Sequence, residues 1–108
     1  FATIFLLIWT AQISAYDELH LKRFKAINKC PGCDLSGADL TGEYLSNTNL
    51  RGANLSGADL YSANFSGADL TGARLEVTKL QGADFTDAIW TDGTSCGTRN
   101  CDGKAYPN

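Results

Sequence analysis

The chain has 108 residues, 44% of them hydrophobic and 19% charged, with a formal net charge of −3. That length allows one domain, and the composition is ordinary for a soluble fold. Residues 33–92 carry nine acids against Arg51, Arg74 and Lys79, a net of −6, while residues 16–32 come to +2 and residues 93–108 to +1. So acidic a central region argues against nucleic-acid binding.

Residues 1–15 read FATIFLLIWTAQISA, apolar, uncharged and ending in small residues. This is the pattern of a signal-peptide core with cleavage after Ala15. It is short of the roughly 20 apolar residues of a comfortable span, yet a retained membrane anchor remains open, and either reading sends the rest of the chain across a membrane. Residues 16–32 begin with an amphipathic pattern in which Tyr16, Leu19, Phe24 and Ile27 share roughly one helical face, with Lys22, Arg23 and Lys25 away from it. A short helix is expected, either to cap the region from residue 33 onward or to bind a partner or membrane surface. His20, the one histidine, lies in it and is read as solvated.

From Cys33 to Asp92 the chain runs in five-residue units, Ala-Asp/Asn-Leu-x-Gly, without insertion. The unit centres run from Leu35 and Leu40 through Phe65 and Phe85 to Trp90. A fixed short period marks stacked repeats, because each unit buries its apolar side only on copies of itself. Five fits neither the 3.6-residue helix period nor the two-residue strand period. A very small residue stands two places before most centres, as at Ala38, Ala53 and Ala68, which suits a narrow interior. Asp, Asn, Ser, Thr and Gly fill the remaining places as water-facing corner residues.

These units closely resemble the pentapeptide-repeat family, A-(D/N)-L-x-x, over twelve consecutive copies. The resemblance implies an all-β solenoid: a right-handed quadrilateral β-helix with four units per coil, hence about three coils over residues 33–92, roughly 15 Å long. Residues twenty apart then stack, which sets Leu45, Phe65 and Phe85 in one inward column and Leu50, Leu70 and Trp90 in another. On another side Asp39 and Asp59 stack beneath Lys79, with Tyr61 beside Asp59, as a solvated ladder or a cation site. Thr48 and Thr78 replace the small inward residue and can place their hydroxyls on neighbouring backbone. Glu43 cannot be buried unpaired without a cost of several kcal/mol, so a local bulge over Glu43, Tyr44 and Leu45 is expected to turn it outward. Arg74, Val77 and Lys79 interrupt the polar surface and mark the last coil as a contact face; the candidate contact surface is Glu43, Tyr44, Arg51, Tyr61, Arg74, Glu76 and Lys79.

The four cysteines bracket the repeat as Cys30-Pro-Gly-Cys33 and Cys96–Cys101. Four cysteines allow three pairings. A disulfide needs Cα atoms within about 7 Å, so a rod of the implied length disfavours pairing across it and leaves two local pairs. A thiol-redox motif at Cys30 and Cys33, or half of a zinc site, is the other reading.

Enzyme chemistry finds no footing. The single histidine has no catalytic pattern around it, the glycines recur as corners rather than as a phosphate loop, and the acids are dispersed at fixed spacing. No catalytic residue, cofactor or metal is assigned. The domain reading is a hydrophobic signal or anchor at 1–15, a capping helix at 16–32, the repeat at 33–92 and a C-terminal loop with a cysteine pair at 93–108. The leader, the helix, CPGCDLSGADL and the Trp-Thr-Asp-Gly-Thr-x-Cys ending resemble exported pentapeptide proteins of cyanobacteria and plastids. That implies the thylakoid lumen, or a periplasm, and a non-catalytic structural or protein-binding module. Its implied partner is an integral membrane complex of photosynthesis, with residues 1–15 in the membrane if retained. A free soluble protein with redox chemistry at Cys30 and Cys33 is the alternative. The gyrase-inhibiting DNA mimics of the family are a poor comparison for so short and exported a rod.

Overall fold

Every fifth residue from Lys29 to Asp69 is bridged in parallel to the residue twenty positions later: Asp34 to Asn54, Asp39 to Asp59, Tyr44 to Asn64, and so on to Asp69 with Ile89. In this computed structural model, which describes residues 18–106, the twenty-residue separation makes four five-residue units per circuit. Segment 1–15 and Tyr16 lie outside the described residues. The inward residues define the sides: Leu35, Leu55 and Leu75 on the first, Leu40, Leu60 and Leu80 on the second, Leu45, Phe65 and Phe85 on the third, Leu50, Leu70 and Trp90 on the fourth. No strand among the described residues is longer than one bridged residue. The unit is too short for more, because a corner follows each side at once.

The backbone bonding shows why five residues suffice. Each centre donates upward, Leu35 N–H to the Asn54 carbonyl at 2.8 Å, and so does the residue two places on, Gly37 N–H to the Ser56 carbonyl at 2.9 Å. The upper circuit donates back, Asn54 N–H to the Cys33 carbonyl at 2.8 Å. The corner closes on itself through Ala38 N–H to the Leu35 carbonyl at 3.1 Å. This turn requires positive φ at its third residue, which Gly37 meets at 71°. Where glycine is missing the turn persists: Asn47 and Asp87 take 59° and 60°, and Val77 takes 60°. Asn and Asp tolerate that conformation, but a β-branched residue in it is an outlier that costs about 1–3 kcal/mol.

The interior holds the leucines and alanines. Leu35, Leu40, Leu50, Leu55, Leu60 and Leu70 are fully buried, as are Ala38, Ala53, Ala58, Ala63 and Ala68. Burying each leucine is worth about 1.5–3 kcal/mol. In the third column Phe65 and Phe85 stack with centroids 5.4 Å apart, and Trp90 meets Phe85 edge-on at 5.2 Å.

Three expectations change. The helix α1 runs Glu18–Ile27, but the residues it packs are Phe24, fully buried, and Leu21. Leu19 and Ile27 stand 70% and 51% exposed; only one narrow stripe of a helix meets the small end of the solenoid. His20 is not simply solvated: its Nδ1 accepts the Asp34 N–H at 3.0 Å, which ties α1 to the first circuit. No bulge forms at Glu43. Tyr44 keeps its bridge to Asn64, Leu45 donates to the Asn64 carbonyl at 2.7 Å and the Glu43 carbonyl accepts the Asn64 N–H at 2.9 Å. Glu43 is half-buried in the first circuit, so the full burial that would have forced a bulge does not arise.

Candidate functional site

The polar belt forms a bonding system of its own. An Asp or Asn in the bridged position accepts the N–H two residues on: Asp34 from Ser36 at 3.1 Å, Asn64 from Ser66 at 2.9 Å, Asp69 from Thr71 at 3.0 Å and Asp84 from Thr86 at 3.0 Å. The hydroxyls of Thr71 and Thr86 bond the same carboxylate oxygens at 2.6 and 2.7 Å. Burial pushes the Asp69 carboxyl up, but the Thr71 hydroxyl and N–H and the Arg51 guanidinium outweigh it and hold it below its ordinary 3.8. At Asp84 burial again opposes, and Thr86 with Arg99 brings the carboxyl below 3.8. These acids are committed to the corners rather than to chemistry. Sequence reading took them as water-facing turn residues and missed the bonds, although the Asp-x-Ser/Thr spacing carries the signal.

Thr48 and Thr78 sit in the small inward positions and donate to the carbonyls of Leu45 and Leu75 at 2.8 and 2.7 Å. No buried side-chain N or O among the described residues lacks a partner, and no group of three or more His, Cys, Asp or Glu among them is placed to hold a metal ion. The Asp39–Asp59–Lys79 stack forms as expected, with Lys79 Nζ 3.8 Å from Asp59. The sulfurs of Cys30 and Cys33, and of Cys96 and Cys101, stand at bonding distance with Cα separations of 5.3 and 4.3 Å. All four cysteines are at most 5% exposed.

The candidate contact residues do not converge on one side. Arg51 lies on the fourth side and pairs with Asp69 at 3.0 Å. Arg74 and Glu76 face outward on the first side, 3.6 Å apart, and Glu76 accepts the Ser56 hydroxyl at 2.9 Å. Tyr61 and Lys79 lie on the second side and Tyr44 on the third, with Glu43 just before it. The exposed large apolar residues of the repeat are Tyr44, Tyr61 and Val77, at 83%, 54% and 90%. By register Val77 and Tyr61 lie at the two corners of the second side, while Tyr44 stands in the bridged position of the third.

The last circuit is finished unevenly. The tail covers the third and fourth sides: Phe85 donates to the Arg99 carbonyl at 2.8 Å, Asp87 to the Cys96 carbonyl at 3.0 Å and Trp90 to the Thr94 carbonyl at 2.8 Å. The Tyr106 hydroxyl donates to the Ala83 carbonyl at 2.8 Å. The first and second sides have no such cover. Leu75 is half-buried, and the N–H groups of Leu75, Val77, Leu80 and Gly82 find no partner among the described residues.

Comparison with known proteins bears on this arrangement. Residues 44–76 and 68–91 match the family of pentapeptide repeats, in eight copies. A pentapeptide repeat protein from the Arabidopsis thaliana thylakoid lumen is 39% identical with a TM-score of 0.57, over 61% of this chain and 46% of that one. One from the cyanobacterium Cyanothece is 40% identical with a TM-score of 0.49, over 57% of this chain and 46% of that one. The chain thus spans less than half the length of either solved structure. The comparison with curated proteins gives no match.

Proposed function

Because the chain belongs to the pentapeptide-repeat family, we propose that it is a non-catalytic protein-binding rod on the lumenal side of a membrane. In this reading residues 33–92 form about three right-handed coils, and α1 with Phe24 caps the N-terminal end. The rod docks on an integral membrane complex as an accessory subunit, and the complex is a photosynthetic one. The observation that carries the location is the 39% identity to a thylakoid-lumen protein. What supports binding rather than catalysis is a surface whose carboxylates are bonded into corners and whose irregular residues are exposed. Residues 1–15 supply the export signal or the anchor. Among the described residues no helix is long and apolar enough to cross a membrane.

A redox role at Cys30 and Cys33 gains no support, since both cysteines are buried and the Cys30 Sγ lies 3.5 Å from the His20 carbonyl of α1. The test is co-purification from gently solubilised membranes of the source organism. An integral membrane complex is expected to carry the chain with it through two successive separations. Recovery of the chain alone in the soluble lumenal fraction would overturn the docking role.

A further inference from the structure

The open part of the last circuit, Ala73 to Gly82, is a hydrogen-bonding template with its complement missing. In the circuit below, Leu55, Gly57, Leu60 and Ser62 donate upward to the carbonyls of Arg74, Glu76, Lys79 and Gln81 at 2.8, 2.9, 2.9 and 3.1 Å. The equivalent donors one circuit higher are the N–H groups of Leu75, Val77, Leu80 and Gly82, and no carbonyl among the described residues meets them. The carbonyls of Ala73 and Thr78 likewise accept no backbone bond from the described residues, whereas Ala53 and Ala58 below them accept from Arg74 and Lys79 at 2.9 and 3.1 Å. Leu55 is fully buried whereas Leu75, one circuit higher, is only half-buried, so the apolar ceiling above Leu75 is also incomplete, while Leu80 stays buried. Val77 holds a β-branched side chain at φ 60° and leaves it 90% exposed, so no burial among the described residues offsets that conformation. An outlier of this kind is grounds for a functional hypothesis.

We infer that this edge is a docking site for an extended, acidic segment of a partner protein, which adds to the first and second sides as a parallel strand. Main-chain bonds to an exposed edge supply affinity in such an addition, and side-chain pockets supply selectivity. The charge points to the occupant. Two of the three bases in the acidic repeat, Arg74 and Lys79, stand at this edge with side chains 63% and 73% exposed. Acidic residues in the bridged positions of an added strand would lie over them, as Asp59 lies against Lys79 now. A second copy fits poorly. Edge to edge, four donors would face two acceptors and half would stay unmet; edge to N-terminal end, α1 and Phe24 stand in the way.

The inference rests on the binding-module reading and names its contact. The test needs only the purified chain, so it fails or succeeds independently of any membrane complex. The probe is a blocked octapeptide copying residues 34–41, Asp-Leu-Ser-Gly-Ala-Asp-Leu-Thr, whose carbonyls match the four donors in register and whose aspartates fall over Arg74 and Lys79. At low salt and low-millimolar peptide, the amide signals of Leu75, Val77, Leu80 and Gly82 are expected to shift and to gain protection from exchange. A peptide with both aspartates replaced by lysine should bind about tenfold more weakly, because like charges oppose each other at the rim. The doubly reversed chain, Arg74→Glu with Lys79→Glu, should prefer the lysine peptide instead. Unmoved signals at those four amides, shifts confined to other sides, or a preference that does not follow the charge reversal would overturn the inference. Protection that rises with chain concentration in the absence of peptide would assign the edge to a second copy and overturn it too.

Discussion

The two halves of the C-terminal end are built from the same five-residue unit and finished in opposite ways. Over the third and fourth sides the tail returns, held by the Cys96–Cys101 pair and by Tyr106 on the Ala83 carbonyl, and Phe85 is fully buried beneath it. Over the first and second sides no backbone bond from the tail returns among the described residues, the Arg99 guanidinium alone reaching the Gly82 carbonyl at 3.2 Å, and Leu75 is half-buried with its N–H unmet. A repeat that satisfies itself only by stacking must be ended deliberately. Here the ending covers the sides that carry the aromatic column and leaves the aliphatic ones as an edge.

The largest effect should come from the covered half. Phe85→Ala removes a ring that stacks on Phe65 and meets Trp90, and should lower stability by about 3–5 kcal/mol, measured by chemical denaturation. A loss under half that would mean the third side is not the tightly packed one. Replacing Cys96 and Cys101 together by serine frees a short loop and should cost about 2 kcal/mol; limited proteolysis should then cut the tail before the repeat. Leu75→Ala on the open half should cost only about 1 kcal/mol, since the leucine is half-buried and leaves no enclosed cavity. A cost equal to that of Leu55→Ala would mean that something covers it. Val77→Gly should raise stability by about 1 kcal/mol by relieving the left-handed conformation, whereas Asn47→Gly should change little.

Acid should erode the covered half. Asp69 and Asp84 have folded-state values held below 3.8. Such groups contribute stability that is present above their unfolded value and is lost as pH falls through the folded one. Stability should therefore be flat from neutral pH to about pH 5 and then decline below about pH 4. The change should be modest, because these carboxylates are near the surface. Thr71→Val with Thr86→Val should flatten the decline in a pH series of thermal melts.

The period of five was legible because every unit repeats one physical demand: a large inward residue, a small one two places earlier, and a corner that accepts positive φ. The four units per coil came from the family resemblance, and with it the stacking of residues twenty apart, the Phe65–Phe85 column and the Asp39–Asp59–Lys79 stack; the small inward places of Thr48 and Thr78 could be read from the period itself. Three things could not. Glu43 looked like a buried charge that needed a bulge, but it is only half-buried and the backbone around it stays in register. Leu19 and Ile27 matched a helical stripe, yet the solenoid end accepts only Phe24 and Leu21; His20 meets the Asp34 N–H through a tertiary contact that no local pattern encodes. The open edge was hidden for the same reason. Residues 93–106 have no period, so which sides they cover depends on where Gly93 and the Cys96–Cys101 pair turn the chain. Val77, Arg74 and Lys79 stood out in sequence as irregular, and the structure supplies the reason they share a place.

The asymmetry of that end is tested most directly by residue-resolved hydrogen exchange of the backbone amides in the native chain. The amides of Leu75, Val77, Leu80 and Gly82 should exchange at rates near those of exposed backbone, while those of Leu55, Gly57, Leu60 and Ser62, one circuit below, are strongly protected. Equal protection in the two sets would show that the edge is closed and would contradict the account.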